Sequence, residues 1–221
     1  MGSIRAVIFD LDGLLLDSEQ AWNDARKRFT IECGGTWRER ATRDMMGMSS
    51  KEWSRYMRDD LGLDLSPDEI SNTVLELMKS LYRERLPLLP GAAEAVQRIA
   101  KRWRLGLASS SNRPLIDLAL ELSDLEECFS ATVSSEEVAR GKPAPDVYAE
   151  AARRLSVEPS ACAAVEDSHN GILSAKAAAM RTIVIPNKAF PPGVAALVHA
   201  DAVISSLDEL TPEVIDPALS A

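Results

Sequence analysis

Apolar and polar positions along the chain fall into two textures. Ala6-Val7-Ile8-Phe9 is an unbroken apolar run with β-branched members, flanked by Arg5 and Asp10. A run that short and that apolar predicts a buried strand. From Glu19 to Arg85 the spacing turns helical. Trp22, Ala25, Phe29 and Cys33 recur at i, i+3, i+7 and i+11 and predict one amphipathic helix, which Gly34-Gly35 ends. Lys51 to Leu61 predicts a second helix. Ser66-Pro67-Asp68-Glu69 is a helix start, with a capping serine, proline at the first helical position and acids in the first turn. That helix is expected to run to Arg85.

Pro87 and Pro90-Gly91 punctuate the return to a strand-and-helix rhythm. Helices are predicted over 92–103, 114–122, 145–155 and 171–179. Strands are predicted over 105–108, near Thr132-Val133, and over 161–165, 182–185 and 202–204. Repeated alternation of this kind predicts an α/β fold, a doubly wound parallel sheet with helices on both faces. The expected division is a core of residues 1–18 and 86–221, with a helical block of residues 19–85 inserted after the first strand. No internal repeat or low-complexity segment interrupts this pattern.

Composition narrows the function classes. The 221 residues are 46% hydrophobic, enough for a substantial core. No apolar run reaches the length of a membrane span, and Asp10 and Asp12 interrupt any secretory signal at the N-terminus. A soluble, cytoplasmic protein with no membrane partner is the expectation, and a monomer is favoured. Three widely spaced cysteines, Cys33, Cys128 and Cys162, argue against disulfides and a zinc cluster. Two histidines, His169 and His199, give little support to a histidine triad. A net charge of −9 argues against a nucleic-acid partner, which needs a basic face. It leaves room for an anionic small molecule where a metal and a few cations focus the local field.

Four clusters carry candidate chemistry. The first strand ends in Asp10-Leu11-Asp12-Gly13. In extended backbone, residues two apart project to one side, so both carboxylates face one crevice at the strand's carboxyl end. Two acids held that close repel each other unless a cation or proton intervenes. The same residues also make an ordinary polar turn. The second cluster, Ser109-Ser110-Ser111-Asn112, puts hydroxyls and free amides at a helix start, which suits a phosphate or simply caps the helix. In the third, Gly141-Lys142-Pro143-Ala144-Pro145, two prolines frame one lysine; a solvated lysine needs no such frame. In the fourth, Val165-Glu166-Asp167-Ser168, an apolar strand ends in two acids, at the same sheet edge as Asp10 in parallel topology. Carboxylates of this kind suit Mg²⁺, which takes one or two of them with substrate phosphate and waters.

These four clusters occur in the order found in the haloacid dehalogenase-like hydrolases, and the chain resembles that superfamily over essentially its whole length. It is most similar to the subgroup of small-molecule phosphatases and β-phosphoglucomutase-like proteins. The resemblance implies a helical cap inserted between the first and second strands, and phosphoryl transfer through an aspartyl-phosphate. Asp10 would be the nucleophile, and Asp12 the acid and then base for the leaving alcohol and the attacking water. Ser109 and the Ser110 amide would hold the phosphoryl group, and Lys142 would bridge nucleophile and phosphate. Mg²⁺ would be held by Asp10, Asp167 and the Asp12 carbonyl, with Glu166 acting through water or as a weaker ligand. Asp12 speaks against halide release, which needs no leaving-group acid.

The implied reaction is hydrolysis of a small phosphate ester, such as a sugar phosphate. A phosphomutase is the alternative. The mutase cap carries Gly-x-Ser-Arg, whereas this chain reads Gly47-Met48-Ser49-Ser50-Lys51, with serine where the arginine belongs and Lys51 beside it. A non-enzymatic phosphate-binding relative is a third reading, disfavoured because no motif residue is missing. Within the helical block, Lys51, and Lys79 with Arg83 one turn later, are candidates for reaching the distal end of a substrate; solvated helix charges are the plainer reading. Trp37, Trp53, Met45, Met46 and Met48 either line the substrate pocket or, as is commoner, form cap core.

Overall fold

The computed structural model describes residues 3–45 and 48–220. Strand β1 (Ala6–Phe9) is followed by four helices, α1 (Glu19–Glu32), α2 (Ala41–Met45), α3 (Ser50–Leu61) and α4 (Pro67–Glu84). Then come α5 (Ala92–Ala100), β2 (Arg104–Ser109), α6 (Arg113–Leu122), β3 (Phe129–Ser134), α7 (Asp146–Leu155), β4 (Cys162–Glu166), α8 (His169–Ala177) and β5 (Arg181–Val184). The chain closes with α9 (Val194–Leu197), β6 (Ala202–Val203) and α10 (Pro212–Ile215). Among the described residues, six strands form one parallel sheet in the order β3-β2-β1-β4-β5-β6. No helix among them is long and apolar enough to cross a membrane.

The alternation of the strands sorts the core into two faces. Val7 and Phe9 pack with Leu105, Leu107 and Val165 against α5 and α6. Ala6 and Ile8 point the other way, with Ala108, Cys162 and Ala164, against α7 and α8. Strand β1 pairs with β2 on one side and β4 on the other, so chain connections leave it in opposite directions. That is a topological switch point, and a crevice opens there at the carboxyl ends of the strands.

The helical block leaves and rejoins the core through two paired segments. Leu16 bridges Leu88, the Asp17 amide donates to the Pro87 carbonyl at 2.8 Å, and the Leu89 amide donates to the Leu15 carbonyl at 2.9 Å. Capping boxes start α3 and α4. The Ser49 amide donates to Glu52 Oε2 at 2.7 Å, and Ser66 and Glu69 exchange bonds of 2.8 and 3.3 Å, with Pro67 at the first helical position. The apolar stripes Trp53–Met57–Leu61 and Ile70–Val74–Met78 join the same buried cluster as α5 and α6, and α4 packs on α6.

Element boundaries moved where tertiary contacts intervened. Helix α1 stops at Glu32, and Cys33 is exposed beyond its end rather than on its buried face. Helix α5 stops at Ala100 because the Trp103 indole is pulled out to donate to the Ile4 carbonyl at 3.0 Å. The short helices α2, α9 and α10 lack the apolar periodicity that marks a longer helix.

Candidate active site

Asp10 follows the last residue of β1, and its amide still donates to the Val165 carbonyl at 3.0 Å, which fixes the backbone there. Lys142 enters from the loop between β3 and α7. Its Nζ donates to Asp10 Oδ1 at 2.5 Å and to Glu166 Oε1 at 2.6 Å, all three residues being buried. The ammonium also lies 5.0 Å from the centre of the Tyr148 ring, whose hydroxyl donates to Glu166 Oε1 at 2.9 Å. Burial would lower the lysine pKa, but Asp10 and Glu166 raise it above its ordinary value, so it stays a cation.

Burial would instead push Glu166 up. Lys142, backbed by the Ser168 amide and Tyr148, holds it below the usual carboxylate range. Its second oxygen accepts from the amides of Asp167 and Ser168 and from the Ser168 hydroxyl at 3.0–3.1 Å. Both Glu166 oxygens are thus engaged by protein donors. The arrangement aims and charges Lys142. A Cβ at Gly171 would fall on the Glu166 carboxylate. Gly171→Ala should therefore displace Glu166 and cost roughly 1–3 kcal/mol of stability, as overpacking does; a urea midpoint equal to wild type would contradict this packing.

Asp167 lies beyond the end of β4, with Asp10 beside it. One oxygen each from Asp10, Glu166 and Asp167 lies within 4.8 Å of the others. Gly13, at φ +84°, leaves the space that Asp167 occupies, since a Cβ there would strike its Oδ2. Burial and the neighbouring acids raise both Asp10 and Asp167 well above their ordinary pKa. Asp167 Oδ1 is buried without a hydrogen-bond partner.

Asp12 is held apart from this cluster. Its Oδ1 accepts from the Ser18 hydroxyl at 2.6 Å and the Trp22 indole at 3.3 Å; its Oδ2 accepts from Ser111 at 2.6 Å and Ser109 at 3.2 Å. The Ser109 hydroxyl, expected to face a phosphate, is buried against Asp12 and also accepts from the Ser111 amide at 2.9 Å. Ser110 is the serine of this loop that reaches the open space.

That space is a chamber of about 1130 Å³ between the sheet edge and the helical block, walled by Asp10, Asp12, Ser110, Lys142 and Asp167. From the helical block, Glu19, Arg38, Arg40 and Arg43 also line it. Lys51 and Lys79 do not line it. Lys51 is exposed, and Lys79 Nζ pairs with Glu76 at 2.7 Å on its own helix. Helix α4 spends its apolar stripe on α3, α1 and α6, which fixes where its charges point. Trp53 is buried, Trp37 packs against the core, and Met45 and Met48 line a small side cavity. Met46 and Gly47 lie outside the described residues. Sequence reasoning missed the arginines of the 38–43 segment, which carries no strong periodicity.

A family model for haloacid dehalogenase-like hydrolases matches residues 4–179. The chain belongs to this family. As a member it is an enzyme, with named phosphatases among its relatives. Hexitol phosphatase B of Escherichia coli (strain K12) is 37% identical over 220 residues, spanning 94% of this chain and 95% of that protein. Phosphorylated carbohydrates phosphatase of Thermotoga maritima is 33% identical over 181 residues, spanning 81% and 84%. The crystal structure of CbbY from Rhodobacter sphaeroides in complex with phosphate superposes with a TM-score of 0.84 at 28% identity, covering 94% of this chain and 96% of that one. A β-phosphoglucomutase from Clostridium difficile, TM-score 0.81 at 22% identity over 95% and 94% of the chains, shares the haloacid dehalogenase-like fold.

Proposed function

We propose that this hydrolase is a Mg²⁺-dependent phosphatase of small phosphorylated carbohydrates and polyols that works through an aspartyl-phosphate on Asp10. One observation carries the reading. A buried carboxylate at the sheet's switch point is bonded to a buried lysine at 2.5 Å and faces a chamber large enough for a sugar phosphate. An Asp10 oxygen attacks phosphorus, the bond to the leaving alkoxide breaks, and Asp12 supplies that oxygen's proton. Water then attacks the phosphorus, Asp12 takes its proton, and phosphate leaves with Asp10 restored. Hydroxyls both donate and accept, so the cage of Ser18, Ser109 and Ser111 serves Asp12 in either protonation state. Lys142 offsets negative charge beside the incoming phosphate, and the Ser110 loop borders it. Helices α1–α4 act as the cap that selects the leaving group.

The acid cluster fits a hard divalent cation. Asp10 and Asp167 lie close together with raised pKa, and one Asp167 oxygen is orphaned, a combination that a cation relieves. Asp10 and Asp167 would hold Mg²⁺ with the Asp12 carbonyl, while Glu166 is kept by Lys142 and Tyr148. Bound there, the ion neutralises charge that develops on the phosphoryl oxygens. Serine stands at the mutase arginine position and Lys51 lies off the chamber wall, which favours hydrolysis; Arg38, Arg40 and Arg43 on that wall are the cations a bisphosphate would meet, so turnover of a sugar bisphosphate separates the two readings.

A panel of phosphate esters assayed with Mg²⁺ and with EDTA tests the proposal. Hydrolysis should require the metal. Mg²⁺ should also raise the melting temperature, by the equivalent of about 2.7 kcal/mol when free metal exceeds its dissociation constant about a hundredfold. Protons compete for carboxylates of raised pKa, so this gain should shrink as pH falls. Metal-independent turnover, or a melting temperature indifferent to Mg²⁺, would overturn the metal assignment.

A further inference from the structure

We propose that Arg26 is a specificity residue for the leaving group, donating to a neutral hydroxyl of a polyol or sugar chain in an alcove beside Asp12. The proposal rests on the phosphatase reading above and adds to it the class of group the cap recognises. Arg26 lies on α1, is 9% exposed, and rests against two indoles that meet each other at 6.0 Å, its guanidinium carbon 4.6 Å from the Trp22 ring centre and 4.8 Å from that of Trp53. Its Nε is buried with no hydrogen-bond partner. Among the described residues no carboxylate forms an ion pair with it. Burial pulls its pKa down to about 10 against the opposing pull of Glu19 and Asp12, so it is charged at neutral pH.

A buried guanidinium with an orphaned Nε is costly, and contact with two aromatic rings offsets only part of that cost. Arg26 lines an alcove of about 50 Å³ whose wall also includes Asp12, Glu19, Ser110 and Ser111. Asp12, Glu19 and Ser110 also line the main chamber, so the alcove opens beside the phosphoryl site on the leaving-group side. Its volume takes a hydroxymethyl or a single hydroxyl-bearing carbon. Charge selects the same occupant. Two acids near one arginine repel a second phosphate or a carboxylate, whereas a hydroxyl accepts from Arg26 and donates to Glu19. A site whose buried donors are completed by a substrate hydroxyl strongly rejects analogues that lack it.

The test begins with the wild-type enzyme, which needs no folding assumption. The fastest substrate among glycerol 3-phosphate, ribose 5-phosphate and glucitol 6-phosphate is compared with its single-deoxy analogues and with phenyl phosphate. One deoxy analogue should lose about 30-fold or more in kcat/KM. In Arg26→Met, which keeps an unbranched stem and an apolar contact with the indoles but removes every donor, the parent substrate should fall by a similar factor, at least about tenfold more than phenyl phosphate does, and the deoxy discrimination should collapse. Equal rates for every deoxy analogue in wild type, or discrimination preserved in Arg26→Met, would overturn the proposal. Failure of the phosphatase reading looks different, as no ester is hydrolysed, phenyl phosphate included. The alcove is then judged by calorimetric binding of the same series, where equal affinities overturn it and loss with one deoxy analogue supports it.

Discussion

Asp10→Asn is expected to lower phosphate-ester hydrolysis by about 10⁴-fold or more, because an amide neither attacks phosphorus nor releases phosphate as a leaving group. The fold should survive. Asp10 is a buried acid whose ionisation is opposed by burial and by Glu166 and Asp12, with Lys142 as its counter-charge. The amide oxygen still accepts from Lys142, and Glu166 still balances that lysine. Circular dichroism melting and phosphate release check both halves. Residual activity above about one per cent of wild type would sink the covalent mechanism, since loss of a true nucleophile leaves far less.

Lys142→Met is expected to be the most destabilising single change in the site. It removes one cation from between two buried carboxylates. Breaking a buried ion pair from one side costs about 3–5 kcal/mol, because the remaining charge is uncompensated. In wild type, lysine holds Glu166 below its ordinary pKa, so that contribution is present at neutral pH and is lost on acidification. Without the lysine, burial dominates and the folded-state pKa of Glu166 and Asp10 lies above the unfolded value. Stability is then present at acid pH and is lost as pH rises. The urea-midpoint gap between wild type and variant should accordingly widen from about pH 5 to about pH 7.5. A gap that is constant with pH would mean that the lysine serves packing rather than charge. Phosphatase activity should fall as well, since the acid cluster then faces the phosphate unrelieved.

Much of this was legible in the sequence for local reasons. The strand ending in Asp10 and the strand ending in Glu166-Asp167 declare themselves by an apolar run broken by acids, and parallel topology carries both to one edge. Lys142 shows itself through the prolines around it. The capping boxes at Ser49 and Ser66 depend on residues three apart. Arg26 was legible in principle, because positions 22, 25, 26 and 29 trace the i, i+3, i+4, i+7 stripe and a charge inside it is anomalous.

Only the tertiary structure decided the rest, because it depends on side chains that are remote in sequence. The Asp12 cage joins Ser18, Trp22, Ser109 and Ser111 across up to 99 residues. Glu166 is engaged by Tyr148 and Lys142 from other elements, which no strand-end motif encodes. The packing of α4 on α3, α1 and α6 left Lys79 off the chamber, whose wall fell to Arg38, Arg40 and Arg43. Short-range pattern fixes which elements form and which acids meet at the sheet edge. Long-range packing fixes where each polar side chain points, because direction is set by the neighbours that fill the space around it.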